Sequence, residues 1–362
     1  MKRTVVWLAA VLLLSATQVR AAGSPPAVQW TKTFAGWGTA SGRCVQQTAD
    51  GGYIAVGRTF SRDSATRLAA LLVKLDASGN TQWTKAIKAE GGMTAFSVVQ
   101  TSDGGYVVAA ATSDACLVRT DASGNELWRS YLANDFSTGA RSLVRLGDTA
   151  FTAVVQRGLG DSAVILWRTD SGGNTRGTSK YSLIYGLGPT DEDLSLRRTS
   201  DGGYIIGTKT LLKVDSLGLQ PSLKTLGSVM SANSVIQTSD GGYAATGAKL
   251  DYASIYLLRT NANRDSVWMG TYVPSQCSRG KWVEQTTGGG YIIAGTTRPS
   301  NQHDRVTLVK TLPDGSLDWT DTLFGGLGCC VRQTADGGYV VAGGSSGRLF
   351  VTKLAAEARK QR

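Results

Sequence analysis

The sequence predicts an all-β fold, a seven-bladed β-propeller of four-stranded antiparallel blades closed by the N-terminal strand completing the last blade. Three observations predict it: one phrase written seven times, apolar alternation broken by glycine turns, and an orphan strand at the start of the chain. Six copies of the phrase are plain: QTADGGYIAVG from Gln47, QTSDGGYVVAA from Gln100, RTSDGGYIIGT from Arg198, QTSDGGYAATG from Gln237, QTTGGGYIIAG from Gln285 and QTADGGYVVAG from Gln333. An eroded seventh, RLGDTAFTAVV, starts at Arg145. The anchoring aromatics Tyr53, Tyr106, Phe151, Tyr204, Tyr243, Tyr291 and Tyr339 step by 53, 45, 53, 39, 48 and 48 residues, periods that suit propeller blades.

Within each unit apolar and polar residues alternate, as in antiparallel strands joined by tight turns. In the first unit, strand one is Cys44 to Thr48, strand two Tyr53 to Thr59, strand three Leu68 to Leu75, and strand four surrounds Trp83. The intervening turns, Ala49-Asp50-Gly51-Gly52 and Asp76-Ala77-Ser78-Gly79-Asn80, use residues that tolerate positive backbone dihedrals. Thr149-Ala150 replaces the Gly-Gly pair in the eroded copy, which predicts a strained or rebuilt hairpin in the third blade. The strand-four tryptophan recurs at Trp83, Trp128, Trp268 and Trp319, where a large ring fills the wedge between blades.

Trp30, in AVQWTKTF, carries that same strand-four signature ahead of any other strand, whereas the last unit ends after RLFVTKL without a fourth strand. The N-terminal strand therefore completes blade seven, closing a ring and removing two open sheet edges. An eight-bladed ring or an open array of seven units is the alternative; an open array would need polar capping repeats.

Residues 1–21 read as a signal peptide, because Lys2 and Arg3 precede an apolar run from Val5 to Leu14 and Val19-Arg20-Ala21 suits a cleavage site. The expected organisation is a single propeller over residues 22–354 and a basic tail over 355–362, secreted or periplasmic, with no membrane span after cleavage, and monomeric. Removing Lys2, Arg3 and Arg20 takes the formal charge from +11 to +8. The blade cations Lys74, Arg119, Arg168, Lys213, Arg259 and Lys310 read as solvated strand ends, and no basic stripe with interleaved aromatics marks a nucleic-acid surface. Five cysteines in an oxidising compartment allow two disulfides. Cys44 and Cys330 share a repeat column otherwise filled by Ser97, Ser142, Ser195, Ser234 and Trp282, and blades one and seven meet at closure, so a Cys44–Cys330 bridge is the first candidate. Cys277 with Cys329 is the second, and Cys116 reads as a buried thiol.

The unit SVxQTxDGGYxxxGxT followed by LxKxDxxGxxxW, spanning Trp30 to Leu354, resembles the DGGY-type repeat propellers of secreted bacterial and archaeal proteins. The turn at Asp76-Ala77-Ser78-Gly79 with Trp83 is also similar to the tryptophan-docking motif of quinoprotein propellers and, less closely, to sialidase Asp-boxes. Both likenesses imply shared blade mechanics, not a shared cofactor or activity.

The first-to-second and third-to-fourth turns share one face and are formulaic, so a site belongs on the opposite face of long loops or at the mouth of the axial channel. Candidate ligand-binding residues there are Trp37, Arg62, Asp63, Phe136, Asp191, Glu192, Asp193, Tyr252, His303 and Asp304, with Arg43 and Glu90 nearby. Trp37, Phe136 and Tyr252 suit stacking on sugar rings or packing of the loops. Asp191-Glu192-Asp193 offers oxygens to Ca²⁺ or two carboxyls for acid–base work, against the plainer reading of a solvated loop. No cofactor is expected, Ca²⁺ being the one ion those oxygens suit. His303 is the only histidine, which excludes multi-histidine metal sites, and no phosphate loop, GxGxxG fingerprint or CxxC pair occurs. The function expected is a non-catalytic extracytoplasmic binding or scaffold protein recognising a glycan, peptide or envelope partner through its loop face. The alternative is a carbohydrate-active hydrolase or lyase using carboxylates at the channel mouth, with a quinone-dependent oxidoreductase a distant third.

Overall fold

The computed structural model describes residues 23–35, 38–60, 68–132, 137–157, 163–182, 194–227, 229–249, 251–275, 277–300 and 302–357. They form seven four-stranded antiparallel sheets, six of them in simple sequence order from inner to outer strand. The seventh orders Leu327–Gln333, Tyr339–Ser345, Arg348–Leu354 and then Val28–Phe34 from the chain's start. Trp30 stands opposite Lys353 in that last pairing, so the two ends of the chain close the ring by backbone hydrogen bonds. Among the described residues no helix occurs that is long and apolar enough to cross a membrane.

The repeated phrase is a set of latches. Gln47, Gln100, Gln237, Gln285 and Gln333 each donate to a carbonyl in their own turn. Each also accepts an N–H from the turn of the preceding blade, Ala335, Ala49, Ser200, Ser239 and Thr287 respectively, at 2.7–2.9 Å. The first of these spans the closing seam. In the third blade Arg145 replaces the glutamine and donates across to the Gln100 carbonyl at 2.8 Å.

The two glycines of each pair do different work. Gly51 has φ +79°, in the left-handed region that favours glycine, whereas a Cβ on Gly52 would meet the Leu75 carbonyl at 2.2 Å and Lys74 Nζ at 2.7 Å. The second glycine thus clears the path of a cation that crosses the turn to reach Asp50, 2.8 Å away. Arg119 reaches Asp103, Lys213 reaches Asp201, Arg259 reaches Asp240 and Lys353 reaches Asp336 in the same way. These cations are not solvated strand ends, as the sequence pattern suggests: the Lys74 side chain is 4% exposed. Their length carries the charge back over the sheet to the turn, a path that alternation alone does not reveal. In the sixth blade, where Gly288 replaces the aspartate, Lys310 instead lies 4.0 Å from Asp318 and from Glu357. Glu357 also accepts from Tyr339 at 2.6 Å, which ties residues expected to belong to the tail onto the ring.

Between blades, four outer-strand tryptophans pack edge-to-face on the next blade's anchoring ring, Trp30 on Tyr53 at 5.6 Å, Trp83 on Tyr106 at 5.9 Å, Trp268 on Tyr291 at 6.2 Å and Trp319 on Tyr339 at 6.0 Å, and a fifth, Trp128, lies tilted against Phe151 at 6.5 Å. The fourth blade's outer strand, Ser222–Thr225, has no tryptophan. The facing turn accordingly carries Arg264 at φ +67°, and its guanidinium donates to the Ser222 carbonyl at 2.6 Å. The eroded third hairpin is rebuilt, with Gly147 at φ +60° turning directly from Leu146 to its partner Ala150.

Candidate functional site

The inner strands run from the loop face toward the turn face around the ring axis, and six of them break register at one common place. The shifts fall between Gly42 and Cys44, Ala95 and Ser97, Ala140 and Ser142, Ala232 and Ser234, Gly280 and Trp282, and Gly328 and Cys330. A β-bulge inserts one residue and re-aims its side chain. The bulged residues Arg43, Phe96, Arg141, Asn233, Lys281 and Cys329 line the axial cavity, which has a volume of about 40 Å³. The bulge also explains why the inner strand of blade one starts at Thr39 rather than at the expected Cys44, since it interrupts the alternation.

Cations and rings interleave along this channel. The Arg43 and Arg141 guanidinium carbons lie 5.6 and 4.2 Å from the Phe96 centroid, and those of Arg197 and Arg332 each lie 4.5 Å from the Trp282 centroid. Glu284 approaches Arg332 to 3.9 Å, with side chains 26% and 30% exposed. Burial pushes the Glu284 carboxyl up, opposed by Arg332 and Arg197. Burial, and then the like charge of Arg332, bring Arg197 down to about 10. Arg197 Nη2, Arg332 Nε, Trp282 Nε1, Glu284 Oε2 and Gln46 Oε1 are buried without a hydrogen-bond partner.

Cys44 and Cys330 flank this cluster at the closing seam. Both thiols donate to the Val45 carbonyl, Cys44 at 4.0 Å and Cys330 at 3.6 Å; the neighbouring Cys330 and then Arg332 hold Cys44 down, whereas burial pushes Cys330 up. No disulfide joins any two of the cysteines among the described residues. Cys277 and Cys329 cannot join: their repeat positions differ by four residues along neighbouring inner strands, roughly 13 Å at 3.3 Å per residue, beyond a disulfide's reach.

A second opening lies on the loop face where blades six, seven and one meet. This cleft of about 640 Å³ is lined by Thr39, Ser41, Arg58, Phe60, His303 and Asp304 among others. The Arg58 guanidinium lies 5.5 Å from the Phe60 centroid. Asp304 takes Arg298 in a two-pronged pair at 2.7 and 3.0 Å, which occupies its carboxylate, and His303 is exposed at the rim.

Of the residues expected from sequence, His303 and Asp304 therefore come together in one cleft. Tyr252 lies apart in the fifth blade, half-buried at φ +51°, its carbonyl accepting from Ser278. Trp37, Arg62, Asp63, Phe136, Asp191, Glu192 and Asp193 lie outside the described residues. Sequence reasoning named Arg43 but missed Arg141, Arg197, Lys281, Trp282, Glu284 and Arg332, which look like framework. The signal that could have found them is a column of the repeat that fails to repeat: Gln46, Val99, Val144, Arg197, Ile236, Glu284 and Arg332 between near-constant neighbours.

No protein-family model matches the chain, and no curated protein does so either. Among solved structures it is similar to the WD40 β-propeller domain of Doa1, with TM-score 0.60, 13% identity and coverage of 92% of this chain and 97% of that one. It is also similar to YCF48 bound to D1 peptide, with TM-score 0.59, 11% identity and coverage of 92% and 97%. A protein of unknown function from Bacteroides caccae matches with TM-score 0.51 and 12% identity over 79% of this chain and 94% of that one. At these identities the likeness establishes the propeller fold and nothing finer.

Proposed function

We propose that the chain is a non-catalytic, extracytoplasmic binding or scaffold protein, a DGGY-type repeat propeller that recognises a glycan, peptide or other envelope partner through its loop face. The observation that carries this reading is the contrast between a frame latched the same way at blade after blade and an asymmetric cleft of about 640 Å³ on the loop face. Rigid frames with variable loops suit recognition. The cleft's mixture of the Phe60 ring with hydroxyls, Arg58 and His303 fits a sugar or a short peptide. YCF48 was solved with a peptide bound, so a peptide arm belongs in the test.

The hydrolase alternative draws on Asp191, Glu192 and Asp193. In the described channel Glu284 faces Arg332 at 3.9 Å rather than the second carboxyl that glycosidic cleavage employs. Glycan and peptide arrays probed with the chain from Ala22 test the proposal. Capture of a ligand, lost in Phe60→Ala and Arg58→Ala and without product release, is expected. Released product would favour the hydrolase, and capture by neither array would overturn the binding reading.

A further inference from the structure

We propose that the ring opens reversibly at one joint, the seam between its third and fourth blades, where the two kinds of clamp that hold the other seams are both missing. It is a property of the frame, whatever the ring binds.

The first clamp is the latch. It crosses five seams as a glutamine side chain and the seam between blades two and three as Arg145. The fourth blade carries Arg198 at that position, exposed and without a hydrogen bond or ion pair among the described residues.

The second clamp is the aromatic pair. By register the outer-strand tryptophan stands opposite the crossing cation, as Trp83 does opposite Lys74, and the residue so placed in the third blade is Gly177, opposite Arg168. No indole therefore packs on Tyr204 among the described residues. The fourth blade lacks the tryptophan too, but its seam with the fifth keeps the Gln237 latch at 2.7 Å and gains Arg264 and a Lys224–Asp265 pair at 2.6 Å.

Across the weak seam there remain the Leu196 N–H on Ser142 Oγ at 3.2 Å, the Tyr181 hydroxyl on the Gly218 carbonyl at 2.6 Å, a Thr152–Tyr204 hydroxyl pair at 3.0 Å and an apolar layer that includes Val154, Leu166, Leu196 and Ile206. That layer is narrow, because the strands of the fourth blade have four, four, five and four residues. Local opening falls on the joint with the fewest contacts. It does not fall where the chain's ends meet, since that seam carries latch, aromatic pair and backbone pairing together. Blades three and four are consecutive in the chain, so an opened seam stays tethered and recloses. The joint lies across the ring from the loop-face cleft, and opening leaves the cleft's three blades together.

Thiol labelling tests this. Val154 faces the weak seam, and Val56 holds the same repeat position in the first blade, facing the second; both are fully buried. Under native conditions N-ethylmaleimide should modify the thiol of Val154→Cys about tenfold or more faster than that of Val56→Cys, the difference expected from one aromatic pair and one hydrogen-bonded latch. Native Cys116, buried between blades one and two, should stay unmodified over the same period. Removing the clamps of that seam with Trp83→Leu and Gln100→Ala should bring the Val56→Cys thiol up to the fast rate. Circular dichroism checks that each variant folds. Should Val154→Cys fail, Leu196→Cys against Val98→Cys asks the same from the opposite walls of the two seams; should the double removal fail, Gln100→Ala alone should move the rate part of the way. Equal rates at the two seams, Cys116 modified in step with Val154→Cys, or a Val56→Cys rate unmoved by loss of the clamps would overturn the inference.

Discussion

Gly79 and Gly202 share the same backbone angle, φ +81°, but different surroundings, and substituting each by alanine separates backbone strain from packing across the closing seam. A Cβ on Gly202 meets nothing within 4 Å, whereas one on Gly79 would lie 2.7 Å from Cδ2 and Cε2 of Trp30. Holding alanine in the left-handed region costs about 1–2 kcal/mol at both sites, and restriction of the unfolded chain returns about 0.4–1 kcal/mol at both. Gly202→Ala should therefore destabilise by about 1 kcal/mol. At Gly79 the ring must also retreat by about 1 Å to reach an ordinary carbon contact. That retreat disturbs the Trp30–Tyr53 edge contact at 5.6 Å. Overpacking and loss of an aromatic pair add about 2 kcal/mol, so Gly79→Ala should cost about 3 kcal/mol in all. Urea unfolding followed by circular dichroism measures both. In a Trp30→Leu background the extra cost at Gly79 should largely vanish, since the clashing atoms are gone. If Gly79→Ala costs no more than Gly202→Ala, Trp30 does not seat on the first blade and the account of closure fails.

Other expectations follow from the buried cations and the seam. Asp336→Asn should destabilise more than Lys353→Met, about 3 against about 1 kcal/mol. The first leaves an ammonium that is 3% exposed without its carboxylate, and the second leaves a half-exposed carboxylate to water; equal losses in urea unfolding would contradict this. Lowering the pH should weaken the fold between about pH 4 and pH 2. Hydrogen bonds from Lys213 and Thr199 hold Asp201 near 2, and those from Lys74 and Thr48, or Thr334 and Lys353, do the same for Asp50 and Asp336 against partial burial. Depressed carboxyls stabilise above their unfolded value of 3.8 and lose that contribution as pH falls through their folded value. Screening at these exposed carboxylates limits each to about 0.5 kcal/mol; a urea midpoint flat from pH 4 to pH 2 would refute the assignment. Mild oxidation should join Cys44 to Cys330, stapling the seam with up to about 4 kcal/mol. Peptide mapping that finds Cys277 modified and the buried pair still reduced would show that the thiols are out of reach.

The blade count, the closing strand and the position of the hairpins were legible because the phrase is copied, and a copied unit exposes its own punctuation. Legibility ended where copies share a letter for different reasons. The two glycines of a pair look alike in the chain, yet Gly51 is there for its dihedral and Gly52 for the lysine passing over it. Arg264 at a glycine position looks like decay until the absent tryptophan across the interface is seen. The loop residues His303 and Asp304 were found by position, but their convergence with Phe60 of the first blade was not, because the seam joins residues far apart in sequence.

By itself the sequence determined the local conformations and the ring, since turn chemistry and strand period act over a few residues and are repeated until unmistakable. Only the tertiary structure decided what stands on the axis. Arg141, Arg197, Lys281, Trp282, Glu284 and Arg332 come from four different blades, and each is a single unremarkable letter in its strand. Electrostatic fields and hydrogen-bond shortfalls depend on distances across space, and the ring brings those six side chains around one narrow channel.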